Sequence, residues 1–307
     1  MIPLDARRHG RGRRDLRQAI GRYAFAAPAM LFIVLALVYP LGYNVYLALH
    51  DVTIATLLRG QAPFAGFANY RALFADPTFA PSLLISAVFT LASLALQFTL
   101  GFALALLFRQ PFPGAGTMRA LLLLGWLLPI VVSANVWRWI LDGDFGALNA
   151  VLTGTGLLGH GEYWLSQPVT ALVSVVAVNV WIGIPFNMIL LLAGLNGLPE
   201  SVSEAGTLDG AGAWQRFRYL TLPMMRPVAL TVLLLSFVYT FKVFDLVYVL
   251  TGGGPVAATT TLPIYTYQTT FTAFRFGQGA AAATVLLVIS LVVAGFYLRL
   301  IRREEAS

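Results

Sequence analysis

Polar residues are scarce in this chain, so where they fall carries weight. One long apolar stretch holds Asn179, Gly183, Pro185, Phe186 and Asn187; the next holds Ser236, Tyr239, Thr240, Lys242 and Asp245. Amide, hydroxyl and ring groups of this kind can contact a polar solute. They can equally join neighbouring helices by hydrogen bonds. Between the two stretches runs EAGTLDGAGAWQRFRYLTLPMMRP, residues 204–227, with two acids and three arginines. Bond-making chemistry has no comparable set. There is no cysteine, and His9, His50 and His160 are scattered, so a metal constellation is not expected. No span holds paired carboxylates, which argues against a membrane enzyme. The phosphate loop G-x-x-x-x-G-K-[ST] is missing, and the one lysine, Lys242, lies inside an apolar run.

The elements that must position these residues are membrane helices. The chain has 307 residues, 58% hydrophobic and 11% charged, with a mean hydropathy of +0.78. A soluble domain is nearer 45–50% apolar and about 25% charged. Several apolar runs exceed the roughly 18 residues that mark a spanning helix. Six spans are expected, at 23–49, 82–108, 119–141, 168–195, 227–250 and 279–300. The first follows an arginine-rich head, yet its apolar run is far longer than a signal-peptide core and has no small-residue cleavage site. It reads as a helix that stays in the membrane. A basic segment 1–22, a transmembrane region 23–300 and a short tail 301–307 complete the division.

Charge sets the orientation. With the N-terminus inside, fifteen of the twenty basic residues face the cytoplasm. They are Arg7, Arg8, Arg11, Arg13, Arg14, Arg17 and Arg22 in the head, Arg109 and Arg119 in an internal loop, Arg216, Arg218 and Arg226 in the long gap, and Arg299, Arg302 and Arg303 in the tail. Only Arg59, Arg71 and Arg275 fall outside; Arg138 and Lys242 lie within spans or at their ends. The net charge of +7 is thereby explained by the membrane, with no call for nucleic acid. Both termini are cytoplasmic, and the 204–227 stretch faces the same side.

That stretch reads as a helical hairpin. Pro199, Glu200 and Ser201 start a helix, acids favouring its N-terminal dipole. Asp209-Gly210 marks a turn. Trp214, Phe217 and Leu220 then share roughly one face of a second helix, and Pro223 and Pro227 set the entry to the next span. An interfacial linker on lipid headgroups would account for the arginines. A polar-capped helix pair is also suited to insertion in a groove of a partner protein.

The spacing from Glu204 to Pro223, E-A-G-x3-G-x9-L-x-L-P, resembles the EAA loop of ABC-importer permease subunits. It departs from that pattern at Gly206, in place of a second alanine, and at Leu220, in place of isoleucine. Asp209-Gly210-Ala211, LTGGGP at 250–255 and NVWIGIPF at 179–186 resemble the carbohydrate branch of the same family, which includes maltose, trehalose and glycerol-phosphate importers. The likeness runs from about residue 23 onward.

The resemblance implies an all-α integral membrane protein of the bacterial cytoplasmic (inner) membrane, with the type I importer permease fold. It implies that Glu204, Ala205, Gly206, Asp209, Gly210, Ala211, Leu222 and Pro223 couple to a separate dimeric cytoplasmic ATPase. ATP and magnesium would belong to that partner, with no cofactor in this chain. A second, related permease subunit and an extracytoplasmic sugar-binding protein are the other implied partners. Sugar contacts are implied at Asn179, Gly183, Phe186, Ser236, Tyr239 and Thr240; a further contact position holds Val243, whose side chain cannot hydrogen-bond. The implied substrate is a disaccharide such as trehalose or maltose, with glycerol phosphate or a sugar alcohol as the alternative.

A secondary transporter would place an ionisable relay within its spans and often repeats itself in inverted topology. Only Lys242 and Asp245 offer one, and at three residues apart they are expected to share a helix face and neutralise each other. Pro185 is expected to break or kink its helix. Arg138, between two tryptophans, is expected to anchor at the outer interface. The LTGGGP segment is expected to be a flexible outer loop.

Overall fold

The computed structural model describes residues 27–304, with side chains through Ile301. The basic segment 1–22, residues 23–26 of the first span and residues 305–307 of the tail lie outside the described residues. In chain order the principal helices are α1 (Ala27–Ala48), α2 (Phe79–Arg109), α3 (Ala115–Leu127), α4 (Ile130–Ile140) and α5 (Pro168–Asn196). Then follow α6 (Glu200–Leu208), α7 (Ala213–Met224), α8 (Arg226–Phe241), α9 (Asp245–Leu250) and α10 (Phe276–Glu304). The last helix runs past residue 301, so the tail begins as its final turn. Among the described residues the β pairings are isolated bridges, His50–Phe64 and Thr53–Arg275.

Helices α1, α2, α5 and α10 are each long and apolar enough to cross a bilayer; counting two bent pairs as spans brings the total to six. The third expected span is not one helix. It bends by 99° between α3 and α4. Pro129 supplies no amide hydrogen, and Leu128 before it is driven to an extended conformation (φ −66°, ψ 142°). The fifth expected span is also broken: α8 stops at Phe241, and α9 restarts at Asp245. Pro185 does the reverse of what its type suggests. Helix α5 runs through it without interruption, because Pro185 is buried among neighbouring helices and their packing outweighs a local cost of about 3 kcal/mol.

Small and hydroxyl residues let the long helices approach closely. On α2, Ser82, Ser86, Thr90, Ser93, Gln97 and Gly101 are all buried, one turn apart along a single stripe. A Cβ on Gly101 would lie 2.6 Å from Asn187 Cβ and 3.1 Å from Met188 N, so α2 and α5 touch nearly backbone to backbone. Gly125 of α3 likewise receives the Trp181 ring of α5. Apolar burial divides into an outer cluster around Phe89, Val175, Val178 and Leu246 and an inner one around Phe102, Met188, Leu191 and Met225. A third, around Phe79, Leu262 and Ala281, packs α10 against α1 and the outer loops. The apolar surface of α1 is left facing outward, as a lipid-solvated helix requires.

The outer loops are stitched rather than loose. Thr259 and Thr251 hydroxyls meet at 2.7 Å, Thr260 Oγ1 donates to Gly253 O at 2.9 Å, and Gln268 Nε2 donates to Gly252 O at 3.1 Å. LTGGGP is therefore a tied-down turn, not a flexible one. Nearby, Tyr265 donates its hydroxyl to Asp76 Oδ2 at 3.0 Å. Burial and that carboxylate, only partly offset by Thr269 and Gln278, push the Tyr265 hydroxyl up to about 12. Burial pushes the Asp76 carboxyl up as well, but hydrogen bonds from Thr78 and Tyr265 and the charge of Arg275 bring it below its usual value.

Candidate functional site

Between the outer and inner apolar clusters, halfway along α5, lies a cavity of about 270 Å³. Asn179, Gly183, Phe186, Ser236, Tyr239 and Thr240 all line it, and so does Val243. The α8 break explains part of this convergence. Backbone freed from helical bonding at membrane depth is tolerated only where it is buried in protein or lines a cavity, and Val243 sits in the break and on the wall. Lys242 caps the end of α8 and Asp245 opens α9, so the two do not share a helix face as expected. The Lys242 ammonium instead sits 5.3 Å above the Tyr239 ring.

The wall combines polar and aromatic side chains. Gln97 Nε2 donates to the Asn179 carbonyl at 2.9 Å, and Ser236 Oγ donates to Asn187 Oδ1 at 3.1 Å. Asn187 Nδ2 returns a bond to Gly183 O at 2.9 Å. The Asn179 amide nitrogen, by contrast, has no partner, although the residue is only 6% exposed. An unsatisfied buried donor costs about 1–3 kcal/mol; the Thr90, Ser93 and Ser133 hydroxyls are buried without a partner as well. Trp126, Phe186 and Tyr239 form a ring ladder with centroids 5.7 and 5.6 Å apart. Polar groups beside rings suit a solute with hydroxyls on its edge and CH groups on its face.

Gln97, Trp126 and Ile130 were not singled out from sequence. A signal for Gln97 existed: it continues the one-turn spacing of Ser82, Ser86, Thr90 and Ser93 and is the longest polar side chain on that face. Trp126 and Ile130 reach the cavity only because the 99° bend folds α3 and α4 around it. Arg138 is exposed, beside the exposed Trp139, and lines a separate outer pocket with Asp142, Asp144 and Tyr163.

On the cytoplasmic side, α6 and α7 form the expected hairpin. Asp209 closes α6, and Gly210 adopts φ +78°, a conformation that a Cβ would strain. Gln215 Oε1 accepts from Gly212 N at 2.8 Å to start α7, and an Arg216–Thr207 hydrogen bond ties the two arms. Gly206 is buried at the crossing, where an added Cβ would lie 2.8 Å from Leu220 Cδ1. The two departures from the EAA pattern thus touch each other: the long reach of leucine occupies the space an alanine methyl would take. Glu204, Ala205 and Asp209 are exposed, and Leu222 and Pro223 are half-buried at the elbow into α8, a 65° bend. Leu208, Trp214 and Tyr219 stand 89%, 71% and 71% exposed on the hairpin. Among the described residues no cluster of His, Asp or Glu could hold a metal ion.

Comparison with known proteins agrees with this architecture. Residues 97–305 match the family described as binding-protein-dependent transport system inner membrane component. The chain is 33% identical to a sulfoquinovosyl glycerol transport system permease of Agrobacterium fabrum, covering 99% of this chain and 98% of that protein. It is 31% identical to the trehalose/maltose transport system permease of Thermococcus litoralis, over 92% and 94% of the two chains. In fold it is similar to a subunit in the crystal structure of a bacterial ABC transporter that imports the acidic polysaccharide alginate, with a TM-score of 0.81 at 23% identity over 95% and 99% of the chains. Four long apolar helices with two bent pairs, a cavity halfway along α5, an EAA-like hairpin and these matches place the chain in the family of binding-protein-dependent transport system inner membrane components, as a permease subunit of an ABC importer.

Proposed function

We propose that the chain carries a sugar across the inner membrane through the cavity at Asn179, coupled by the 204–223 hairpin to a separate ATPase. The observation that supports this best is the convergence of the six sugar-contact positions implied by the family resemblance on one cavity, together with the unpartnered Asn179 amide. Asn179, Ser236 and Thr240 bind sugar hydroxyls, Phe186 and Tyr239 pack on the ring, and Gly183 leaves room for it. The cavity is near the lower end of the roughly 300–1,000 Å³ of small-molecule sites. It would be completed by a second, related permease subunit, and a disaccharide such as trehalose or maltose then fits. One relative is named for trehalose and maltose.

Glu204, Ala205, Gly206, Asp209, Gly210, Ala211, Leu222 and Pro223 form the surface and root of the hairpin that docks on the ATPase dimer, its exposed Leu208 and Trp214 entering the groove. ATP and magnesium act on that partner. An extracytoplasmic binding protein delivers the sugar; one structurally similar transporter is solved with a substrate-bound periplasmic protein. ATP-driven closure of the ATPases moves the hairpin, and the spans then rock between inward and outward openings about the cavity.

A second reading is an anionic substrate, such as glycerol phosphate or an acidic sugar. It is favoured by the relative named for sulfoquinovosyl glycerol transport. The deciding experiment purifies the complete importer and screens neutral and anionic sugars for stimulation of ATP hydrolysis. Stimulation by a neutral disaccharide, lost in Tyr239→Ala, supports the first reading. Stimulation by anionic sugars alone supports the second, and stimulation by no sugar rejects both.

A further inference from the structure

The cytoplasmic turn RQPFPGAG, residues 109–116, joins α2 to α3 beside an open pocket of about 690 Å³. Arg109 and Arg119 line it from two helices, with the amides of Gln110 and Asn196, and no acidic side chain is among its lining. Phe108 and Phe112 also line it, stacked at 5.7 Å, and give it an apolar floor. Arg119 Nε donates to Ala115 O at 3.4 Å, which steadies that guanidinium against the turn.

The two arginines ask for separate explanations. Arg109 ends α2, where a cation complements the helix dipole. Arg119 lies near the start of α3, where the dipole offers a cation nothing. Two like charges converging on one pocket repel unless an anion joins them. Both sit where a span leaves hydrocarbon on the cytoplasmic side, the depth of lipid phosphates.

We propose that this pocket binds the phosphate of an anionic phospholipid of the inner leaflet, held between Arg109 and Arg119, with an acyl chain along Phe108 and Phe112. Guanidinium groups hold phosphate oxygens through paired N–H donors. The apolar floor at membrane depth selects a lipid over a free anion. Arg109 also lines a narrow cleft with Arg216 at the root of the hairpin. A bound headgroup therefore neutralises charge beside the element that carries force, and lipid composition reaches the hairpin directly.

The full chain, purified and delipidated in detergent, is titrated with phosphatidylglycerol, phosphatidylcholine and inorganic phosphate. Retained lipid is counted by mass spectrometry and stability read by thermal melting. The expected result is one tightly retained phosphatidylglycerol and a raised melting temperature. Arg109→Gln with Arg119→Gln weakens its binding about thirtyfold, Arg109→Lys with Arg119→Lys retains most of it, and the outer pair Arg59→Gln with Arg71→Gln leaves it unchanged. Equal stabilisation by phosphatidylcholine, or unchanged phosphatidylglycerol binding in the glutamine pair, overturns the proposal. Phosphate alone matching the lipid assigns the pocket to a soluble anion and overturns it too. The lysine pair covers the case in which the glutamine pair does not fold: loss of lipid preference in a folded lysine pair also counts against the site.

Discussion

Replacing Gly183 with alanine should act through Gln97. A Cβ at Gly183 would lie 2.4 Å from both Gln97 Cδ and Gln97 Nε2. Comfortable contact begins near 3.5 Å, so the carboxamide must retreat by about 1 Å. Its bond to the Asn179 carbonyl is 2.9 Å long, and that retreat takes it past the limit of a hydrogen bond, roughly 3.5 Å. Losing it in a buried site costs about 1–3 kcal/mol. Alanine returns about 1 kcal/mol of helix propensity, so net destabilisation falls between about 0 and 2 kcal/mol. The displaced carboxamide has the 270 Å³ cavity to move into, where it crowds the solute. Sugar uptake by the reconstituted importer should then show a KM raised about tenfold, equivalent to roughly 1.4 kcal/mol. A double-mutant cycle isolates the cause. In a Gln97→Ala background the added methyl meets no carboxamide, and Gly183→Ala should become neutral or mildly stabilising. Equal effects of Gly183→Ala in both backgrounds, on melting and on KM, would refute the reasoning.

Other substitutions test separate contacts. Gly206→Ala alone should cost about 1 kcal/mol net, because overpacking against Leu220 offsets the propensity gain; Leu220→Ile should restore stability and coupled transport, measured by thermal melting and ATP-dependent uptake. Gly101→Ala should cost more, about 1–3 kcal/mol, because the methyl meets Asn187 Cβ and the Met188 backbone rather than the end of a side chain, seen as a lower melting temperature and reduced yield of folded chain. Stability should also depend on pH at the outer face. Tyr265 is raised in the folded chain, so its contribution is whole below about pH 10 and is lost as pH climbs through about 12; Tyr265→Phe should flatten that alkaline loss in a melting series. Asp76 is lowered, so its contribution is present above the usual carboxylate range and fades as pH falls through its depressed value; Asp76→Asn should flatten the acidic limb.

Much of the fold was legible because a bilayer imposes simple rules. Uninterrupted apolar runs marked α1, α2, α5 and α10 to within a few residues, and the hairpin announced itself through Asp209-Gly210 and the prolines around it. What escaped was backbone direction inside apolar runs. Leu128-Pro129 bends its span by 99°, while Pro185 leaves α5 whole. The two prolines look alike in sequence, and burial between α5 and its neighbours separates them. The α8–α9 break was hidden for a similar reason. VYTFKVFDLVYVL has no helix breaker, and the helix ends at Phe241 without one. That break undid the expected pairing of Lys242 with Asp245. In the cavity, polar residues on the two spans flanking the hairpin were visible as outliers against oil. Gln97 carried a signal in its one-turn polar spacing, but its partner, the Asn179 backbone carbonyl, is not announced by a linear sequence.

Solute passage through the cavity at Asn179 is tested most directly by one measurement. The complete importer, wild type and Asn179→Leu, is reconstituted in vesicles with its binding protein, and uptake of the sugar that best stimulates it is followed with and without ATP. The expected outcome is ATP-dependent accumulation by the wild type, and loss of at least nine-tenths of it in the leucine variant at equal incorporation and about equal basal ATP hydrolysis. Undiminished accumulation by Asn179→Leu, or accumulation by this chain alone without ATP, would contradict it.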